Sequence, residues 1–175
     1  MGVYNHADSY PSGLGADIVT FVREHLDTES KVDSFKNKVM GLEVVEQEGK
    51  PSAATYDYYA RINAADRPGD YAKSDYYNLL RVYQGVNTLA GISSGELKHW
   101  IDSKGFIKDS LFCEYAYIMN LDRGVLEFYE GFQQTDKLSD HGLPIYGPCK
   151  KVGSIAFSMA TIDAMNACFG VEVES

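Results

Sequence analysis

Basic residues are scarce in this 175-residue chain: 16 Lys and Arg stand against 25 Asp and Glu, a formal charge of −9. A surface of that sign repels phosphate backbones and anionic lipid headgroups, which argues against general nucleic-acid binding and against a membrane partner. Cysteine is equally sparse. Cys113, Cys149 and Cys168 form no C-x-x-C pair, and an odd, scattered set reads as free thiols in a reducing compartment rather than a disulfide scaffold. No basic segment followed by an apolar run opens the chain, and no apolar run approaches the ~20 residues a bilayer helix needs. The expectation is a cytoplasmic protein without membrane contact. Neither G-x-x-x-x-G-K nor G-x-G-x-x-G occurs, so neither nucleotide-binding fingerprint is present. Histidine numbers only four. His6 and Asp8 offer two metal ligands with only Asp140 and His141 as further loop candidates, which is not a closed set. No cofactor and no metal are expected.

What is present suits a globular object. At 45% hydrophobic and 23% charged residues, the chain reads as one domain over 1–175. A chain of this length buries roughly 70% of its unfolded surface. Along it, Val3–His6 reads as a strand end and Ala7–Gly15 as a loop. "ADIVTFVREHL" then places Ile18, Phe21, Val22, His25 and Leu26 at helical spacing. "KVDSFKNKVMGL" predicts a second helix with Val32, Phe35, Val39 and Leu42 on one face. Ser74 or Asp75 caps a helix through Gln84 that Gly85 closes, and "SGELKHWIDSK" predicts another, ending at Gly105. Seven of the thirteen tyrosines lie between Tyr56 and Tyr83, where rings are expected mainly as core or interface material.

The C-terminal third favours strands. "CEYAYIMNLDRGVLEFYEGF", residues 113–132, reads as a hairpin turning at Leu121-Asp122-Arg123-Gly124. Within it Glu127 is expected on a solvated face. Thr135–Cys149 is expected as a loop, "VGSIAFSM" as a strand, and "TIDAMNACF" as a helix capped by Thr161. Helices and strands segregate along the chain, so the predicted class is α+β: a small antiparallel sheet, including the hairpin, packed with several helices.

The densest chemistry lies in "VYNHADSYPSGLG". Asn5, His6, Asp8, Ser9 and Tyr10 bring donors, acceptors and a group titrating near neutrality into a strand-to-helix loop. Backbone N–H groups at such a helix start can face an anion, and Gly13 and Gly15 would permit close approach. The competing reading is structural, with Asp8, Ser9 and Pro11 making turns and caps. Cys113 beside Glu114 is a second candidate, a nucleophile next to a carboxylate. A thiolate, however, wants a cationic or His-bearing neighbourhood that the adjacent sequence does not supply.

The blocks "YNHADSYPSGLG", "YYNLLRVYQG" and "DSLFCEYAYIMNLDRGVLEFYEGFQ" together resemble a group of uncharacterised small proteins of bacteriophages and bacteria. The resemblance implies no activity. It implies an accessory gene product working inside an infected cell, and it assigns Tyr4, Asn5, Asp8, Ser9, Tyr10, Pro11, Gly13, Gly15, Cys113 and Glu114 to pattern positions. Members of that group open with a G-T-R-G strand that this sequence does not contain.

Three functions are compatible with these residues. The first is a binding protein that captures a host or defence protein, or a small polar ligand, through Asn5–Gly15 and the head of the hairpin at Cys113, Glu114 and Tyr115. The second is a hydrolase or transferase with His6 as base, Asp8 as its orienter or a ligand, and Cys113 or Ser9 as nucleophile. The third is an acidic mimic of nucleic acid that blocks a DNA-binding protein. Homo-oligomerisation is compatible with all three.

Overall fold

The structure is a computed structural model describing residues 9–63 and 69–171. The strand expected at Val3–His6, and with it Asn5, His6 and Asp8, lies outside the described residues. A π-helical turn at Pro11–Gly15 leads into helices α1 (Ala16–His25) and α2 (Glu29–Met40), strand β1 (Glu43–Val44) and helix α3 (Ala53–Ile62). A 3-10 turn at Asp70–Lys73 precedes helices α4 (Tyr76–Leu79) and α5 (Val86–Ser94) and strand β2 (His99–Trp100). A second 3-10 turn, Lys104–Lys108, opens the strand-rich part: β3 (Tyr115–Asn120), β4 (Val125–Glu130), β5 (Gln134–Leu138), β6 (Pro144–Tyr146) and β7 (Lys150–Ala156). A third, Phe157–Met159, and helix α6 (Ile162–Cys168) follow. The class is α+β, as the segregation of patterns predicts. Among the described residues the elements gather into two compact units, one of Asn37–Ser103 and one joining the chain through Lys36 to the chain from Lys104 onward.

The second, the hairpin unit, is built on the antiparallel order β3-β4-β7. The expected hairpin forms, with Tyr115 opposite Glu130 and Asn120 opposite Val125. Gly124 supplies the left-handed residue of its turn at φ +61°. Leu126 and Phe128 are fully buried, each gaining roughly 1.5–3 kcal/mol from removal of its side chain from water. Phe128 meets Phe169, just past α6, at 5.7 Å and Tyr117 at 6.2 Å between ring centres. From α1, Ile18, Val19, Phe21 and Val22 are buried, and Phe21 meets Phe35 of α2 edge-on at 5.6 Å. His25, expected on that face, is exposed instead. The α6 helix begins as predicted, with the Thr161 hydroxyl accepting from Ala164 N–H at 3.1 Å.

Two expectations for this unit fail. Glu127 is buried rather than solvated: it lies opposite Ser154 of β7, and its carboxylate accepts from Lys151 Nζ at 2.7 Å and Tyr129 Oη at 3.0 Å. Lys151 holds that carboxyl below its usual range. The segment expected as a loop after Thr135 contains the antiparallel pair β5–β6, turned at Gly142 with φ +72°. Between the sheets, Gly131 lies so close to Cys113 that a Cβ would fall 2.1 Å from the Cys113 carbonyl oxygen. Phe132 follows with φ +54° and a ring that is 55% exposed. Its N–H donates to the carbonyl of Ser110 at 2.7 Å.

The 37–103 unit is mostly helical. Ser52 caps α3, accepting from Thr55 N–H at 3.0 Å, and α3 fully buries Tyr59. Asp75 caps α4 as expected, but α4 stops at Leu79. Gly85, expected to close a helix, instead begins α5 at φ +53°. The helix expected over "SGELKHWIDSK" is absent. Gly95, in the left-handed region at φ +78°, ends α5 there. The chain then extends into β2, which pairs in parallel with β1, His99 opposite Glu43. Leu97 and Trp100 are buried all the same.

Candidate functional site

The opening segment, expected as a loop, is wound into a turn around one carbonyl. Tyr10 C=O accepts from Gly13 N–H at 3.0 Å and from Gly15 N–H at 3.2 Å. Pro11 fits the first position because its missing N–H would find no partner there. The N–H groups of both glycines are thus taken up inside the turn. Gly15 also has a packing reason. A Cβ there would lie 2.7 Å from Tyr117 Oη and 2.9 Å from Met165 Sδ. Gly13, by contrast, faces open space.

The structure does bring the opening turn and the head of the hairpin together. Tyr117 Oη donates to the Ser9 carbonyl at 2.8 Å, and the Tyr10 ring lies 5.6 Å from that of Tyr115. Tyr115 in turn meets Phe169 edge-on at 5.5 Å, and Phe169 reaches Phe128 in the core. An unbroken series of rings therefore runs from the buried Phe128 to Tyr10, which is 46% exposed. Glu114, half-buried beside it, accepts Gly131 N–H through its carbonyl at 2.7 Å. Burial pushes the Tyr115 hydroxyl up from its ordinary value and raises Tyr117 further. Both stay protonated donors at neutral pH.

Cys113 is not poised as a nucleophile. It is buried, and loss of solvent, with the neighbouring Cys149 thiol as a second cause, pushes its thiol up to about 12. A thiol of that kind carries almost no thiolate at neutral pH. Asp140 and His141 stand exposed at the turn between β5 and β6. Among the described residues no three His, Cys, Asp or Glu side chains gather as a metal site, and no helix is long and apolar enough to cross a membrane.

Sequence reasoning passed over a polar node in the 37–103 unit. The Tyr59 hydroxyl oxygen accepts from Lys98 N–H at 3.0 Å and His99 N–H at 3.1 Å, and it lies 3.0 Å from His99 Nδ1. With both lone pairs engaged, the hydroxyl proton goes to Nδ1, so His99 carries its own proton on Nε2. That nitrogen faces the Glu43 carboxylate at 3.8 Å. Burial lowers the His99 pKa from its ordinary value, against a smaller raising effect of Glu43. The same unit has a concavity of about 360 Å³ at the start of α3, where Lys50, Ser52, Asp57 and Lys73 meet the Tyr56 ring. Lys73 lies over that ring at 4.9 Å and pairs with Asp70 at 2.8 Å. The sequence signal for this node is the Ser52 cap followed by Tyr56, Tyr59 and Ala60 at helical spacing.

A scan against protein-family models and searches of curated proteins and solved structures found no match for the chain.

Proposed function

We propose that the chain is a binding protein that engages a partner protein through the aromatic face where Tyr10 packs on Tyr115. One observation carries this reading: a large amphipathic ring, half out in solvent, is fixed from below by a continuous ring series anchored at Phe128. A tyrosine held this way offers contact area with little conformational entropy left to lose, which is what protein-recognition surfaces use. The protonated, buried Cys113 supports binding over nucleophilic catalysis. A host or defence protein is the partner class that the phage-like sequence blocks imply, and it enters here as part of the proposal.

The test is site-specific photocrosslinking in cells. A photoreactive phenylalanine analogue replaces Tyr10 in one experiment and the exposed Tyr71 in another. Supporting results are a discrete crosslinked protein from position 10 only, and loss of its co-purification in Tyr10→Ala at an unchanged melting temperature. Co-purification that survives Tyr10→Ala and Tyr115→Ala together overturns the reading. A metabolite whose thermal shift disappears in Tyr10→Ala overturns it in favour of a small-ligand site.

A further inference from the structure

Cys113 and Cys149, 36 residues apart in sequence, are neighbours. Cys149 Sγ donates to the Cys113 carbonyl at 3.2 Å, and Cys113 Sγ donates to the Tyr115 carbonyl at 3.6 Å. The backbone fixes both ends of the pair. Cys113 N–H donates to the Asp109 carbonyl at 3.0 Å and Cys149 N–H to the Ile107 carbonyl at 2.9 Å, so both cysteines hang from the same short turn. Gly131 packs against the Cys113 carbonyl, closer than any side chain would permit. The third cysteine is engaged elsewhere, its sulfur pressed against Gly153 in the middle of β7.

From this geometry we infer that Cys113 and Cys149 form a two-thiol oxidation site, converted to an intramolecular disulfide by a small-molecule disulfide of the glutathione class. One thiol loses its proton and attacks the small disulfide, forming a mixed disulfide and releasing one small thiol. The second protein thiol then attacks the mixed disulfide and releases the other. Two protein S–H bonds become one S–S bond, and the two electrons and two protons leave as two molecules of small thiol. Burial of both sulfurs makes the exchange slow. The crosslink joins the turn before β3 to the segment before β7, across positions the fold already holds together, so it constrains the unfolded chain more than the folded one.

The experiment incubates the folded protein with oxidised glutathione at pH 8, quenches by alkylation, and reads intact mass and non-reducing peptide maps. The expected result is loss of two hydrogens, a Cys113–Cys149 linked peptide, and a rise in melting temperature of roughly 5–10 °C that a reductant reverses. In Cys149→Ala the linked peptide disappears, while Cys168→Ser retains it. The inference is overturned by linkage to Cys168, by glutathionyl adducts with no internal bridge, by a bridge that forms only in denaturant, or by a melting temperature that falls on oxidation.

Discussion

The two units use aromatic residues in opposite ways. In the 37–103 unit, Tyr59 is buried for its oxygen, which takes two backbone N–H groups and gives its proton to His99. In the hairpin unit, Phe128 is buried for its hydrocarbon, with the half-buried Phe169 packed on it, and the Tyr117 hydroxyl serves only to bind the Ser9 carbonyl. A core centred on one oxygen is sensitive to the loss of a single atom and to protonation. A core of packed rings is sensitive to lost volume and, above the acid range in which the buried Glu127 takes up its proton, indifferent to pH. The contrast between the units is therefore measurable.

The largest effect is expected from Phe128→Ala, which empties the centre of the ring series and costs about 3–5 kcal/mol in denaturant-monitored unfolding. Tyr59→Phe keeps the ring and removes only the oxygen. It should cost about 2–4 kcal/mol through the donors and acceptor left unpaired. Were Tyr59→Phe nearly neutral, the proposed polar centre of the 37–103 unit would be wrong. Gly15→Ala forces apart the opening turn, Tyr117 and Met165, at about 1–3 kcal/mol.

The pH effect separates the units more sharply than any truncation. Unfolded, His99 takes up a proton near 6.5; folded, burial holds its pKa lower. Between those values the unfolded chain binds more protons, so this contribution to stability is complete above 6.5 and declines as pH falls below it. Urea titrations at pH 7.5 and 5.5 should show a drop that shrinks in His99→Asn and persists in Phe128→Leu. The smallest expected stability change belongs to Tyr10→Ala, within about 1 kcal/mol, which is what makes it a usable probe of binding.

The sequence announced the hairpin because its signals agree: β-favouring residues on both arms and a glycine at the one turn position that needs positive φ. The α6 helix was legible for a similar reason, since Thr161 marks its first turn. The false helix over 94–104 shows how such reasoning fails. Leu97, Trp100 and Ile101 have helical spacing, yet Gly95 sits left-handed and Trp100 is buried from a strand, so the same periodicity came from two unrelated burials. The β5–β6 pair was invisible because "QTDKL" has neither alternation nor β-branched bulk beyond Thr135. Of the candidate site, the sequence offers the opening segment and Tyr115 as candidates, and the Tyr10–Tyr115 ring contact is what the fold adds. The roles of Gly13 and Gly15 were not legible, because only the fold shows that their N–H groups close on Tyr10.

Phe132 has a practical consequence. A phenylalanine in the left-handed region stands about 1–2 kcal/mol above its relaxed state, and a ring that is 55% exposed recovers little of that by burial. Position 132 is thus a natural first target for hardening the protein. In a library selected for survival of heat, Phe132→Gly and Phe132→Asn should be enriched ahead of changes anywhere in either core.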